Sequence, residues 1–478
     1  MTAPDFERWQ QAVRRIGGCQ HPVHMTGPVR LIDGGTGEIV RELGTGGEGH
    51  RWMMPCGNRR KRRCEPCSRV YQADAWHLVR AGLTGGKGVD NSVSRHPRAF
   101  LTLTAPSFGP VHRRSPNGPC RARSTHTRCE HGLPRGCGQS HDTDDPLIGQ
   151  ALCTGCYDYP GAVLWNAHAG RLWHRFTDVM RRQELPRTAG LDLADFARTV
   201  RVSFVKVAEY QARGLVHFHA VVRLDPAEDS PLPAWATYAL LDTAIRSARP
   251  LVAIDTAHSP AGAWSLTLGE RIDVQPIPAA PDPDQDDPAK RRDAARVTSY
   301  LAKYVTKAAE CTGTVDTPVY CPACKGTGLA GACPRCRGNG LRADLATLPL
   351  APHPRAMLGT AWRLGALPAY ESLNLRRWAH QLGYGGHFST KSRHYSTTMG
   401  RLRQTRRDFR SAQTAKALGL TGELITENSL KFTGTGYVDD IEARIAEGIR
   451  QDIAEERELL REVIADLKAE ERDLREWA

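Results

Sequence analysis

The stretch Thr199-Val-Arg-Val-Ser-Phe-Val-Lys-Val-Ala-Glu209-Tyr210-Gln-Ala-Arg-Gly214-Leu-Val-His217-Phe-His219-Ala-Val-Val-Arg-Leu224 decides the fold. Two runs rich in β-branched and aromatic residues, Thr199 to Tyr210 and Leu215 to Leu224, are separated by four turn-forming residues and predict an antiparallel hairpin. Side chains alternate across a strand, so His217 and His219 share one face while Phe218 points to the other. The position of Glu209 depends on the turn. A three-residue loop Ala212-Arg213-Gly214 with a left-handed glycine sets Gln211 opposite Leu215 and Glu209 opposite His217. A two-residue loop would set Glu209 opposite Val216, facing away. Glycine stands where positive φ is needed, which favours the first register. The resulting cluster of His217, His219 and Glu209 has no thiolate and an open side, a donor set suited to Mg²⁺ or Mn²⁺.

Around this hairpin, Ala99-Phe-Leu-Thr-Leu-Thr104 alternates like a half-buried strand, and Gly161 to Glu184 carries apolar residues at helical spacing. A further helix is expected from about Arg291 to Glu310. On it Tyr300 and Tyr304 lie one turn apart, bordered by Lys303 and Lys307. A tyrosine hydroxyl beside a metal-bound phosphate and nearby cations can act as a nucleophile. The expected class is α+β. Five regions are expected: a zinc-binding region 1–95; a catalytic domain 96–310 with a zinc-binding insertion at about 113–158; a zinc-knuckle insertion 311–345; a basic helical DNA-contact region 346–435; and an acidic helix or coiled coil 436–478.

With 478 residues, 40% hydrophobic and 24% charged, the chain is too balanced in composition for a collagen-like, wholly disordered or membrane-embedded protein. There is no bilayer-spanning apolar run and no signal-peptide core, so a cytoplasmic protein without a membrane partner is expected. A formal charge of +13 favours a polyanionic partner. The 14 cysteines are better explained by metal than by disulfides in a reducing compartment. Cys321-Pro-Ala-Cys324-Lys-Gly-Thr-Gly and Cys333-Pro-Arg-Cys336-Arg-Gly-Asn-Gly are two CxxCxGxG knuckles, together four thiolates for one zinc. They resemble the cysteine-rich module of DnaJ-type chaperones. Cys56, Cys64 and Cys67 form a second set with Cys19 as fourth ligand and His21, His24 or His50 as substitutes. Cys129, Cys137, Cys153 and Cys156 form a third, with His131 or His141 as competitors. Up to three structural zincs are expected, leaving Cys120 and Cys311 over.

Residues 376 to 410 hold nine Lys/Arg and one Asp, interleaved with Trp378, Tyr384, Phe388, Tyr395 and Phe409. This mixture can neutralise phosphates and stack bases, with Arg376, Arg377, Lys391, Arg393, Arg401, Arg403, Arg406 and Arg407 as DNA-contact candidates. Residues 439 to 478 reverse the sign, with seven Lys/Arg and fourteen Asp/Glu. Ile453, Leu460, Leu467 and Leu474 recur there every seven residues, joined by Ile449, Val463 and Trp477, a surface for homo-oligomerisation that Glu456 and Glu470 interrupt.

In the order Phe100-Leu-Thr-Leu-Thr104, His217-Phe-His219, Tyr300-Leu-Ala-Lys303-Tyr304, the chain resembles HUH endonucleases of the rolling-circle replication initiator type. Cys153-Thr-Gly-Cys-Tyr-Asp-Tyr-Pro-Gly-Ala-Val-Leu-Trp165 and Gly386-His-Phe-Ser-Thr-Lys-Ser-Arg393 are similar to initiators of actinomycete plasmids and integrative elements. The resemblance implies an RRM-like nicking fold, a central antiparallel sheet with flanking helices, and a metal on His217, His219 and Glu209. It also implies tyrosine attack on single-stranded origin DNA, giving a 5′-phosphotyrosine and a free 3′-hydroxyl. Either tyrosine can act first, with Tyr304 slightly favoured. A host polymerase and helicase are implied as partners, since no GxxxxGK[ST] phosphate loop is present. A two-tyrosine transposase is the nearest alternative. A conjugative relaxase usually reverses the motif order, and a non-enzymatic zinc-containing DNA-binding protein would leave the histidines and tyrosines in the core.

Overall fold

A computed structural model describes residues 3–44, 51–115, 118–121, 127–228, 230–279, 296–297, 300, 315, 317–420 and 422–477. Among them thirteen strands run in chain order: β1 (Val23–Thr26), β2 (Val29–Asp33), β3 (Ile39–Leu43), β4 (Arg51–Met54), β5 (Arg98–Leu103), β6 (Val200–Tyr210), β7 (Val216–Pro226), β8 (Ala253–Asp255), β9 (Ser265–Thr267), β10 (Ile272–Pro276), β11 (Ser389–Lys391), β12 (Leu424–Asn428) and β13 (Lys431–Thr435). Every pairing between them is antiparallel, and with ten α-helices among the described residues the chain is α+β. No helix among the described residues is long and apolar enough to cross a membrane.

The chain divides into two units. The first joins Met1–Ala75 to Thr398–Ala478, and the second is Trp76–Thr397. In the first, the chain's two ends share two three-stranded sheets, ordered β13-β1-β4 and β12-β2-β3. The helix Ala3–Arg15 packs Val13 against Ala446, Ile449 and Ile453 of the long helix Asp440–Trp477. Arg14 adds ion pairs to Asp452 (3.4 Å) and Glu456 (2.8 Å). Ile449 and Ile453, expected to face a second copy, are therefore buried within the chain. Their heptad row met a ready apolar partner at the N-terminus. Leu460 and Val463, further along, are exposed.

The second unit is built on a five-stranded sheet of order β10-β5-β7-β6-β11. Period-two alternation gives the sheet two unlike faces. Ala99, Leu101 and Leu103 of β5, Phe218, Ala220 and Val222 of β7 and Ala208 of β6 point into the main core. The helix Tyr159–Val179 covers them, with Trp173 in contact with Phe204 and Phe218 (ring centroids 5.3 and 5.7 Å). Asp158 accepts from the Gly161 amide and caps this helix at its start. A five-residue π turn, Met180–Glu184, continues it over the length expected from the sequence.

The opposite face carries Phe100, Thr102, Glu209, His217 and His219. One end of this face is closed by the C-terminal turn of the helix Glu65–Thr84. Arg223 of β7 donates to the Gly82 carbonyl and Arg98 of β5 to the Leu83 carbonyl. Two buried guanidinium groups thus meet the negative end of a helix dipole. Asp225 neutralises Arg223 (2.5 Å), and His96 bonds Asp225 (2.8 Å). Burial pushes the Asp225 carboxyl up, but His96 and Arg223 outweigh it and bring it down to about 2. Position 82 requires glycine, because a Cβ there would stand 2.2 Å from the ring of Tyr395.

Candidate functional site

The β6–β7 turn is the three-residue form. Gly214 has φ of 72°, its amide donates to the Gln211 carbonyl (2.8 Å), and the Gln211 amide donates to the Leu215 carbonyl (2.8 Å). Glu209 consequently pairs with His217, and Val207 with His219. Asn166 of the Tyr159–Val179 helix, fully buried, fastens this turn. Its Nδ2 donates to the carbonyls of Gly214 (2.9 Å) and Leu382 (3.0 Å), and its Oδ1 accepts from the Val216 amide (3.0 Å). Arg213 ties the turn to β5's exit by donating to the Ala105 and Pro106 carbonyls, both at 2.8 Å.

On this frame Glu209 Oε2 lies 3.1 Å from His217 Nε2 and 3.3 Å from His219 Nε2. Burial drives the Glu209 carboxyl up, but hydrogen bonds from His217 and His219 more than offset it, so the group lies below its ordinary value and is ionised. Burial, only partly countered by Glu209, holds His219 below the usual imidazole value and keeps it neutral. Carboxylate and neutral imidazole are the forms that ligate metal. The three ligand atoms lie within 4.8 Å of one another. Thr102 of β5, paired with His219 across the strands, places its hydroxyl 3.1 Å from His219 Nδ1. When Nε2 ligates a metal instead of donating to Glu209, Nδ1 carries the proton and can donate it to that hydroxyl, which then fixes tautomer and ring.

Tyr300 reaches the same point. Its hydroxyl is 3.4 Å from His219 Nε2, its ring stands edge-on to Phe100 (5.6 Å) and to His219 (5.2 Å), and it is 37% exposed. Lys303, Tyr304 and Lys307, and most of the helix expected from Arg291 to Glu310, lie outside the described residues, as does Cys311. Sequence reasoning missed Thr102. The signal was present, because Phe100-Leu-Thr102 alternates onto the face where the pairing of β5 with β7 puts the histidines.

Among the described residues, cysteine and histidine side chains gather into four groups able to hold a metal such as zinc. Cys19, Cys56, Cys64 and Cys67 form the first, with sulfur–sulfur distances of 3.7 to 3.8 Å. A zinc tetrahedron with bonds of about 2.3 Å has edges of about 3.8 Å. His24 is engaged elsewhere, 2.5 Å from the Gly436 carbonyl. Cys321, Cys324, Cys333 and Cys336 form another, in which the Gly328 and Gly340 amides point at Cys324 and Cys336 sulfur (3.3 Å each). The third expected set is corrected. Cys137 does not join Cys129, Cys153 and Cys156, whose fourth partner is His131 (Nδ1 3.3 Å from Cys156 Sγ). The turn closed by the Gly132 amide on the Cys129 carbonyl brings the exposed His131 to Cys156, while the Arg121–Cys137 bridge draws Cys137 to Cys120. Cys120, set aside by spacing, thus belongs to a fourth group with His112, Cys137 and His141.

The basic segment is mixed in character. Arg377, Arg393, Arg401 and Arg407 are exposed. Arg376 stacks on Trp362 and donates to the Gly326 carbonyl (3.0 Å), and Lys391 donates to the carbonyls of Ser392, Arg393 and Ser396. Arg406 pairs with buried Asp74 (2.7 Å), and Arg403 approaches it at 3.8 Å. Tyr384 and Tyr395, expected to stack bases, are buried, whereas Phe409 is 64% exposed.

A family model described as RepSA, replication initiator protein of pSAM2, matches residues 5–451. A replication initiator protein of Streptomyces ambofaciens is 40% identical over 97% of this chain and 94% of its own length. No solved structure matches the chain.

Proposed function

The chain belongs to the pSAM2-type replication initiator family, and we propose that it starts replication as an HUH endonuclease, nicking and rejoining single-stranded DNA at an origin. The observation that carries this reading is the meeting of Glu209, His217, His219 and the Tyr300 hydroxyl at one point on the sheet. Mg²⁺ or Mn²⁺ held by the two imidazoles and the carboxylate would supply Lewis-acid polarisation of the scissile phosphate. The ionised Glu209 and the neutral His219 fit such an ion, and Thr102 keeps the second imidazole in the ligating tautomer.

Tyr300, with its hydroxyl 3.4 Å from His219 Nε2, is our choice of nucleophile for the first transfer. The phenol loses its proton, its oxygen bonds phosphorus, and the P–O3′ bond breaks. The 3′ oxygen takes up a proton and becomes the hydroxyl that primes a host polymerase. One ester replaces another, so the strand can be resealed without ATP. Tyr304 serves the second transfer, and Lys303 stabilises phenolate. A host helicase supplies unwinding. Arg377, Arg393, Arg401 and Arg407, being exposed, make phosphate contacts, while Arg376, Lys391, Arg403 and Arg406 act through the intramolecular partners that hold them. The Cys19, Cys129 and Cys321 groups hold structural zinc.

The test is to trap the protein on an origin-containing single strand and sequence the DNA-linked peptide. An adduct on Tyr300, lost in Tyr300→Phe while DNA binding persists, is the expected result. Failure of the wild type to nick any origin-containing strand with Mg²⁺ or Mn²⁺ would refute it.

A further inference from the structure

We infer that His112, Cys120, Cys137 and His141 form a separate Cys₂His₂ zinc site that braces the turn of the β6–β7 hairpin. Their four donor atoms lie within 4.8 Å of one another. His112 Nδ1 is 3.1 Å from His141 Nε2, and Cys137 Sγ is 3.5 Å from that same nitrogen. Zinc bonds of about 2.0–2.1 Å to nitrogen and 2.3 Å to sulfur give tetrahedral edges of roughly 3.3 to 3.6 Å. Two ring nitrogens turned on each other beside two thiols make poor mutual partners and good common ligands.

The surroundings are those of a built site. His141 Nδ1 is 2.7 Å from Asp145 Oδ2, and Asp145 Oδ1 accepts from the Leu147 amide (2.8 Å). A carboxylate on the far nitrogen of an imidazole fixes which nitrogen faces the ion. The Arg113 amide points at Cys120 sulfur (3.2 Å), offsetting thiolate charge. Cys120 and His141 are buried, and four protein donors close the site to substrate, so its role is structural.

The consequence follows the backbone. His112 exchanges hydrogen bonds with the Gly149–Gln150 segment, its amide to the Gln150 carbonyl (2.8 Å) and its carbonyl from the Gly149 amide (2.9 Å). Gln150 Oε1 accepts from the His353 amide (3.1 Å), and His353 Nε2 is 3.1 Å from the Arg213 carbonyl. Gly149 lies so close to the turn that a Cβ there would be 2.3 Å from the Ala212 carbonyl carbon. A metal holding His112 therefore holds the support of the turn that sets Glu209 opposite His217. The bracing matters for nicking only if the proposed function is right, whereas the metal count is independent of it.

The experiment is native mass spectrometry of the full chain with amide exchange on the same samples. Cys120→Ser should lose one zinc, Cys129→Ser a different one, and the double variant two, with faster exchange at Gln211–Leu215 in Cys120→Ser. Cys120→His, which restores a donor, should keep the full count. Full zinc content in Cys120→Ser would overturn the site, and unchanged exchange at the turn would overturn the bracing. Should Cys120→Ser not fold, the wild type decides: Cys137, only half-buried, should resist maleimide until a chelator removes zinc. Its alkylation without chelator would overturn the inference.

Discussion

Replacing Asn166 by Ala should cost more stability than its size implies. The side chain is fully buried and makes three hydrogen bonds, all to backbone groups: the carbonyls of Gly214 and Leu382 and the amide of Val216. A hydrogen bond of this kind contributes about 1 kcal/mol net, but a buried group left without its partner costs about 1–3 kcal/mol. Three such groups, sharing one small cavity that can partly relax, give a loss of about 3–5 kcal/mol. Urea unfolding followed by tryptophan fluorescence measures it, since Trp165 and Trp173 lie on the same helix. Asn166→Asp should lose at least as much, because it keeps the acceptor for Val216 but turns an oxygen toward two carbonyls. Two of the three bonds flank Leu215, so amide exchange at the turn should rise in both variants. A loss below about 1 kcal/mol for Asn166→Ala would refute the claim that this residue anchors the hairpin.

Three other outcomes are expected. Thr102→Val removes the partner of His219 Nδ1 and should lower metal affinity or nicking by about 10- to 100-fold, read as the Mn²⁺ concentration needed for half-maximal cleavage. Lys206, buried against Phe218 (4.4 Å), has its pKa lowered to about 8 by desolvation. The unfolded chain keeps this proton up to its ordinary value near 10.5, so stability at this group rises with pH between about 8 and 10.5, by up to about 3 kcal/mol. Urea midpoints at pH 7.5 and 9.5 should show that rise relative to Lys206→Met, and a parallel response of the two proteins would count against it. Ile449→Ala should loosen the Ala3–Arg15 and Asp440–Trp477 helices by about 2 kcal/mol, seen as faster proteolytic release of the C-terminal helix.

The hairpin was legible because two short-range rules converge on it. Alternation fixed the faces of His217 and His219, and one glycine fixed the register of Glu209. The long-range half of the site was not legible. Thr102 becomes a partner of His219 only once β5 is known to pair with β7, and that pairing spans 117 residues. The cysteines show the same limit. The knuckles at Cys321 and Cys333 are local and were grouped by spacing, whereas Cys137 was grouped wrongly because a loop, not a spacing, carries His131 and Cys120 into place. Local composition also overstated the basic segment as a stacking surface, since Tyr384 and Tyr395 are anchored by interior contacts, Tyr395 through its hydroxyl to the Val79 carbonyl (3.3 Å).

The pairing of β1 with β13 has a temporal meaning. His24 leaves the ribosome early, yet its strand partner Gly434 is made roughly 400 residues later, roughly 20 to 80 s at ordinary bacterial elongation rates. The strands near the N-terminus stay unfinished through that interval, while Trp76–Thr397 holds all of its own sheet partners. A chain cut short between β7 and β13 would carry the hairpin and its histidines but leave β1 without its β13 partner. One strand pairing thus makes the completion of the first-made strands wait on β13.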